Sequence, residues 1–196
     1  MRSKLSKDDL KQLTKSTFFD EEELQKWYKD FLTIAPSGKL DLTGLNAIYQ
    51  KFFPKGDTTE FTKNVFRTIA LDGCDEISFR EFIAKVSQIT RGTIEQKLAW
   101  IYDMFDIQKK GSVSMQDVRY ILLTAIELHG TFVHHGENSR KDRYLKEIDS
   151  VIYYLFRKLD TDSNGSIGSK EFLQGAQHNA AVLKYFSLQS TEGNES

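Results

Sequence analysis

Between Asp160 and Glu171 oxygen-bearing side chains recur at a spacing that could hold a cation. Asp160, Asp162 and Asn164 stand at positions 1, 3 and 5 of a twelve-residue stretch, Ser166 at position 7 and Glu171 at position 12. A hard divalent cation takes six to eight oxygen ligands around one point, and short carboxylate or amide side chains at alternate positions can supply them. Ser166 needs to offer only its backbone carbonyl, while Glu171 is long enough to reach back and clamp the ion with both oxygens. Gly165, at position 6, permits a sharp turn that a side chain would strain. Gly168, at position 9, has no side-chain oxygen, so a water is expected there. The competing reading is a polar, Asx-rich turn that needs no metal.

The flanks decide against a bare turn. Ile148, Val151, Ile152, Leu155, Phe156 and Leu159 repeat at the spacing of one buried helix face. Phe172 and Leu173 begin an outgoing helix after the loop, with Leu183 and Phe186 continuing its apolar face. A helix, a twelve-residue oxygen-rich loop and a second helix make an EF-hand. Ile167, at position 8, is expected to point inward as a short strand residue against a neighbouring loop.

Such hands seldom act alone, and three weaker copies precede this one. With position 8 as the inward apolar residue (Leu40, Ile77, Val113, Ile167), the loops start at Thr33, Ala70, Asp106 and Asp160. The last interval is the longest, which marks an insertion. The first loop carries Pro36 and ends in Gly44, so carboxylates are missing at positions 1 and 12. The second keeps Asp72, Ser78 and Glu81 but has Ala70 at position 1 and Asp75 in place of the turn glycine; Ser78 with Glu81 also reads as a helix capping box. The third keeps Asp106 and Gly111 but has Gln108 and Lys110 at ligand positions and the short Asp117 at position 12. An ammonium there repels a cation and is expected to pair with Asp106 instead. Ser114 and Asp117 again have capping spacing. These features predict an all-α fold of four helix-loop-helix units in two lobes, with short β-bridges between paired loops. The expected lobes are residues 1–89, with both hands degenerate, and 93–186, with the third degenerate and the fourth intact. Thr90-Arg91-Gly92 is the expected joint, Thr93 and Gln96 cap the helix after it, and a flexible tail covers 187–196. Ahead of the first hand, a basic opening segment with Lys4, Lys7, Lys11 and Lys15 could form a short helix, and Asp20 with Glu23 reads as the cap of the next.

The chain has 196 residues, 39% hydrophobic and 28% charged, and a formal net charge of -1. That length and composition suit one large or two small cores. The near-neutral charge gives no reason to expect nucleic acid as a partner. The single cysteine, Cys74, excludes an internal disulfide and fits a reducing compartment. No apolar run is long enough to cross a bilayer and no secretory signal opens the chain, so a cytoplasmic protein is expected.

Longer strings narrow the reading. Gln25-Lys26-Trp27-Tyr28-Lys29-Asp30-Phe31, Pro36-Ser37-Gly38, the run Ile48 to Asp57 and the run Arg91 to Trp100 resemble the neuronal calcium sensors, the family of frequenin and recoverin, over about residues 5 to 188. The resemblance implies two EF-hand lobes and an apolar groove that takes an amphipathic helix from a target such as a membrane channel, receptor or kinase. The matching groove positions are Trp27, Phe31, Ile48, Tyr49, Phe52, Phe82 and Trp100, any of which could instead be plain core. It also implies departures. The family commonly binds calcium at its second, third and fourth hands, and only the fourth is intact here. Arg2 stands where the myristoylation pattern has glycine, which argues against that lipid and leaves a protein partner as the route to a membrane. Ala35 replaces the cysteine usual before Pro-Ser-Gly.

The remaining clusters are weaker. His129, His134 and His135 could bind zinc but read better as a solvated connector, and the run Arg140 to Arg143 reads as a solvated helix start rather than a phosphate site. No nucleophile-base constellation or phosphate-binding glycine motif occurs, so the sequence points away from an enzyme. Two functions are left. One is a calcium-responsive regulator with one Ca2+ site in the fourth hand. The other is a constitutive helix-binding adaptor or channel subunit whose fourth site holds a structural cation, Mg2+ included.

Overall fold

The computed structural model describes residues 4–71, 73–130 and 138–188, with side chains in the last stretch from 142 onward. Ten α-helices and four three-residue strands are found among them. The chain divides into two compact units, Met1–Thr93 and Ile94–Ser196.

The first unit opens with α1 (Lys7–Ser16) and holds two hands. The first is α2 (Glu21–Ile34), β1 (Lys39–Asp41) and α3 (Leu42–Phe52); the second is α4 (Thr59–Ile69), β2 (Glu76–Ser78) and α5 (Phe79–Arg91). Ser6 caps α1, its hydroxyl accepting from the Asp9 N–H, and the helix buries Leu10 and Leu13. A full capping box starts α2, with Asp20 accepting from the Glu23 N–H and Glu23 from that of Asp20. Helix α5 runs through Thr90 and Arg91 and ends at Gly92, so two of the three residues expected as a joint belong to its last turn. Arg91 has a local task there. It donates to Glu23 and to the Phe18 carbonyl, and its guanidinium lies 4.5 Å from the Phe19 ring centre. The pairing with Arg91 holds the Glu23 carboxyl below its usual pKa.

The second unit contains α6 (Ile94–Phe105), β3 (Ser112–Ser114), α7 (Met115–Leu128), α8 (Asn138–Leu159), β4 (Ser166–Gly168), α9 (Ser169–Gln177) and α10 (Ala180–Tyr185). Helix α6 packs on α9 and α7 on α8. Of the predicted apolar face of α8, Ile148, Ile152, Leu155, Phe156 and Leu159 are in the core and Val151 is half-buried. One expectation changes. The outgoing helix of the fourth hand stops at Gln177, and Asn179 starts a separate helix by accepting from the N–H groups of Ala181 and Val182. Leu183 therefore reaches the core from α10, while Phe186, the residue after that helix, is half-buried and packs against Phe105 and Phe172.

Each unit joins its two loops by one antiparallel β-pair. Leu40 faces Ile77 in the first and Val113 faces Ile167 in the second, the four position-8 residues in the pairing that their apolar character predicts. All four are buried.

Candidate metal centre

Asp160, Asp162 and Glu171 each bring one carboxylate oxygen within 4.8 Å of the others. Among the described residues this is the one group of three or more histidine, cysteine, aspartate or glutamate side chains so placed. It lies at the expected loop, between α8 and β4-α9. Asp160 nucleates the turn: its two oxygens accept from the N–H groups of Asn164 (3.1 Å) and Gly165 (3.0 Å). Gly165 has φ +82°, the left-handed region in which a Cβ is strained, and Ser163 at position 4 is left-handed too, at 56°. Asn164 links the neighbours, donating from its amide to Asp162 (2.7 Å) while its Oδ1 accepts from the Ser166 N–H and hydroxyl.

Glu171 is held from both sides. Its Oε2 accepts from the Gly168 N–H at 2.9 Å, and its Oε1 from the Thr161 N–H and hydroxyl at 3.0 and 2.7 Å. These donors, Gly168 first, lower the pKa of its carboxyl. The site is thus anionic, with an oxygen set matching what a hard cation requires. Behind it, the buried Tyr102 hydroxyl donates to the Ile167 carbonyl at 3.3 Å, which ties α6 to the loop's strand. Burial pushes the Tyr102 pKa up to about 12.

The third loop copies this frame without its ligands. Asp106 accepts from the N–H groups of Lys110 and Gly111 at 2.9 and 2.7 Å, the same contacts that Asp160 makes, and Lys109 and Gly111 are left-handed at positions 4 and 6. The Lys110 ammonium corrects the sequence reading. It lies 3.6 Å from Asp117 Oδ2, at position 12, and what Asp106 receives is the Lys110 backbone N–H. Asp117 also accepts from the Ser114 N–H and hydroxyl. Burial works to raise the Asp117 pKa, but Ser114 and Lys110 outweigh it and leave the group below the usual range.

In the second loop Glu81 closes a capping box with Ser78, as its spacing predicts. The left-handed residue there is Gly73 at position 4, and Asp75 at position 6 is not left-handed. Asp72 lies outside the described residues. In the first loop Asp41 caps α3 through the Gly44 N–H, with no carboxylate to answer it.

The seven groove positions separate. Trp27, Phe31 and Phe82 form one aromatic cluster of the first unit with Phe19 and Phe79. Phe31 and Phe82 are 3% and 8% exposed, so these two are core and can only back a docking surface. Trp27, by contrast, is 36% exposed. Ile48, Tyr49 and Phe52 lie together on α3, the first two half-buried and Phe52 76% exposed. Tyr49 packs on Phe53 and Phe61. Trp100 is half-buried on α6 of the second unit. Sequence reasoning missed Thr161, whose hydroxyl serves a ligand from position 2; a hydroxyl there, where the other loops carry Ile34, Leu71 and Ile107, was the available signal. His129 is exposed, while His134, His135, Arg2 and the tail from 189 lie outside the described residues.

Paired helix-loop-helix units bridged by their loops, one of them with a carboxylate cluster, define an EF-hand protein. A family model described as an EF-hand domain pair matches residues 95–177. The chain is 30% identical to neuronal calcium sensor 1 of Lymnaea stagnalis over 188 residues, 95% of this chain and 94% of that one. Human recoverin is 29% identical over 195 residues, 97% and 94% of the two chains, and S-modulin of Aquarana catesbeiana 29% over 187, 92% and 87%. The chain belongs to the neuronal calcium sensor family, whose members are calcium-binding regulators rather than enzymes. No helix among the described residues is long and apolar enough to cross a membrane.

Proposed function

We propose that this protein is a cytoplasmic calcium-responsive regulator that binds one Ca2+ in its fourth hand and engages an amphipathic helix of a target protein. The observation that carries the reading is the convergence of Asp160, Asp162 and Glu171 within 4.8 Å in a loop with a left-handed glycine at the turn. Asp160, Asp162, Asn164, the Ser166 carbonyl and Glu171 would hold the ion, with affinity in the sensor range of about 10⁻⁷ to 10⁻⁵ M. Because the loop is continuous with α8 and α9, drawing its ligands inward reorients those helices. The exposed Trp27 and Phe52 supply the apolar anchors a helix face needs. By its names the family offers calcium sensing; the target helix belongs to a channel, receptor or kinase, and a protein partner brings the regulator to membranes.

The test is calcium titration calorimetry in millimolar magnesium with tryptophan fluorescence in parallel. One site per chain with a fluorescence change, both absent in Glu171→Gln, is expected. A second reading, a constitutive adaptor with a structural cation such as Mg2+, is favoured by the self-neutralised third loop. It prevails if calcium binds without altering the fluorescence or the affinity for a target peptide.

A further inference from the structure

An ionised carboxylate has about four acceptor positions, two on each oxygen. In Glu171 the two on Oε1 are both taken, by the Thr161 N–H and by the Thr161 hydroxyl. Oε2 accepts one well-formed hydrogen bond, from the Gly168 N–H, and the Asp162 N–H also lies near enough to act on the carboxylate. The second loop is arranged differently: Ser78 at position 9 gives both its N–H and its hydroxyl to one oxygen of Glu81. In the fourth loop glycine at position 9 removes that hydroxyl, and one has moved to position 2. Oε2 is left with an acceptor position to spare and Oε1 has none.

We propose that Thr161 sets the preference of this site between calcium and magnesium. The inference rests on the fourth loop being the cation site. Calcium takes a position-12 glutamate through both oxygens, whereas magnesium, smaller and strictly octahedral, does not need the second. Bidentate ligation must therefore evict one donor from Oε1, while ligation through Oε2 alone evicts none. The two backbone N–H groups are fixed by the fold of the loop. The hydroxyl hangs on one rotatable bond at an exposed residue and can turn to water, so it is the donor that leaves. Its contact with Glu171 opposes calcium and is indifferent to magnesium.

Calcium titrations of the full chain, with and without magnesium, on wild type, Thr161→Val, Thr161→Ser and Glu171→Gln test this. Valine keeps the shape and deletes the hydroxyl; calcium binding should tighten about three- to tenfold, the size of one net hydrogen bond. Magnesium affinity should move less than about twofold on the same scale, and Thr161→Ser should match wild type. The inference is overturned if valine leaves calcium affinity unchanged or weakens it, if both ions shift equally, or if serine behaves as valine. Were wild type to show no site sensitive to Glu171→Gln, the assignment of the fourth loop would fall and the inference with it. A Glu171-dependent site indifferent to valine removes the inference alone.

Discussion

At the scale of single residues the informative comparison is Lys110 with Asn164, both at position 5. Asn164 brings an amide oxygen to the loop, whereas Lys110 brings a cation of its own, 3.6 Å from Asp117. The third loop is thereby neutralised from within. Asp117 has a pH signature, set against its burial first by the Ser114 hydrogen bonds and then by Lys110. The Asp117 pKa is lowered on folding, so its stabilisation is present above the unfolded value, about 4, and is lost as pH falls through the lower folded value. Asp117→Asn should unfold more easily than wild type by about 1 to 2 kcal/mol at neutral pH. The gap should close below about pH 4, which a series of thermal melts would show. A gap that persists into acid would mean that packing, not charge, carries the effect. The residue types at positions 5 and 12 were plain in the sequence. Which carboxylate Lys110 would choose was not, because Asp106 is already engaged by two backbone N–H groups, a fact of loop geometry and not of spacing.

At the scale of elements, position 9 and position 12 do the same work in the second and third loops: each closes a box that starts the outgoing helix. Helix capping explains Ser78 with Glu81 and Ser114 with Asp117 without any metal. Ser78→Ala should cost about 1 kcal/mol of stability in chemical denaturation and change no ion binding. An altered calcium titration in that variant would assign the second loop a role in binding. The buried face of α8 and the β-pairs through Leu40, Ile77, Val113 and Ile167 were legible because apolar spacing alone fixes them. The break between α9 and α10 was not, since Leu183 and Phe186 keep a helical spacing that hides the cap at Asn179. Phe31 and Phe82 show the same limit: an aromatic stripe reads alike whether it is core or surface, and burial decides.

At the scale of the whole molecule, the one carboxylate cluster found among the described residues lies in the second unit. Binding there adds to the stability of the folded protein by mass action. Calcium at a hundred times its dissociation constant should stabilise the unit that contains Trp100 by about 2.7 kcal/mol. Scanning calorimetry should see this in wild type and not in Glu171→Gln; equal shifts in both would place the ion elsewhere. If the fourth loop alone takes calcium, as proposed, the Lys110–Asp117 pair would govern how the molecule reads its signal. A loop that fills with no second ion to help it fills in proportion, needing about an eighty-fold rise in free calcium to pass from one-tenth to nine-tenths occupied, where coupled loops would respond over a narrower span. On the proposed one-site reading, the ammonium of Lys110 in the neighbouring loop would exchange a trigger for a dial.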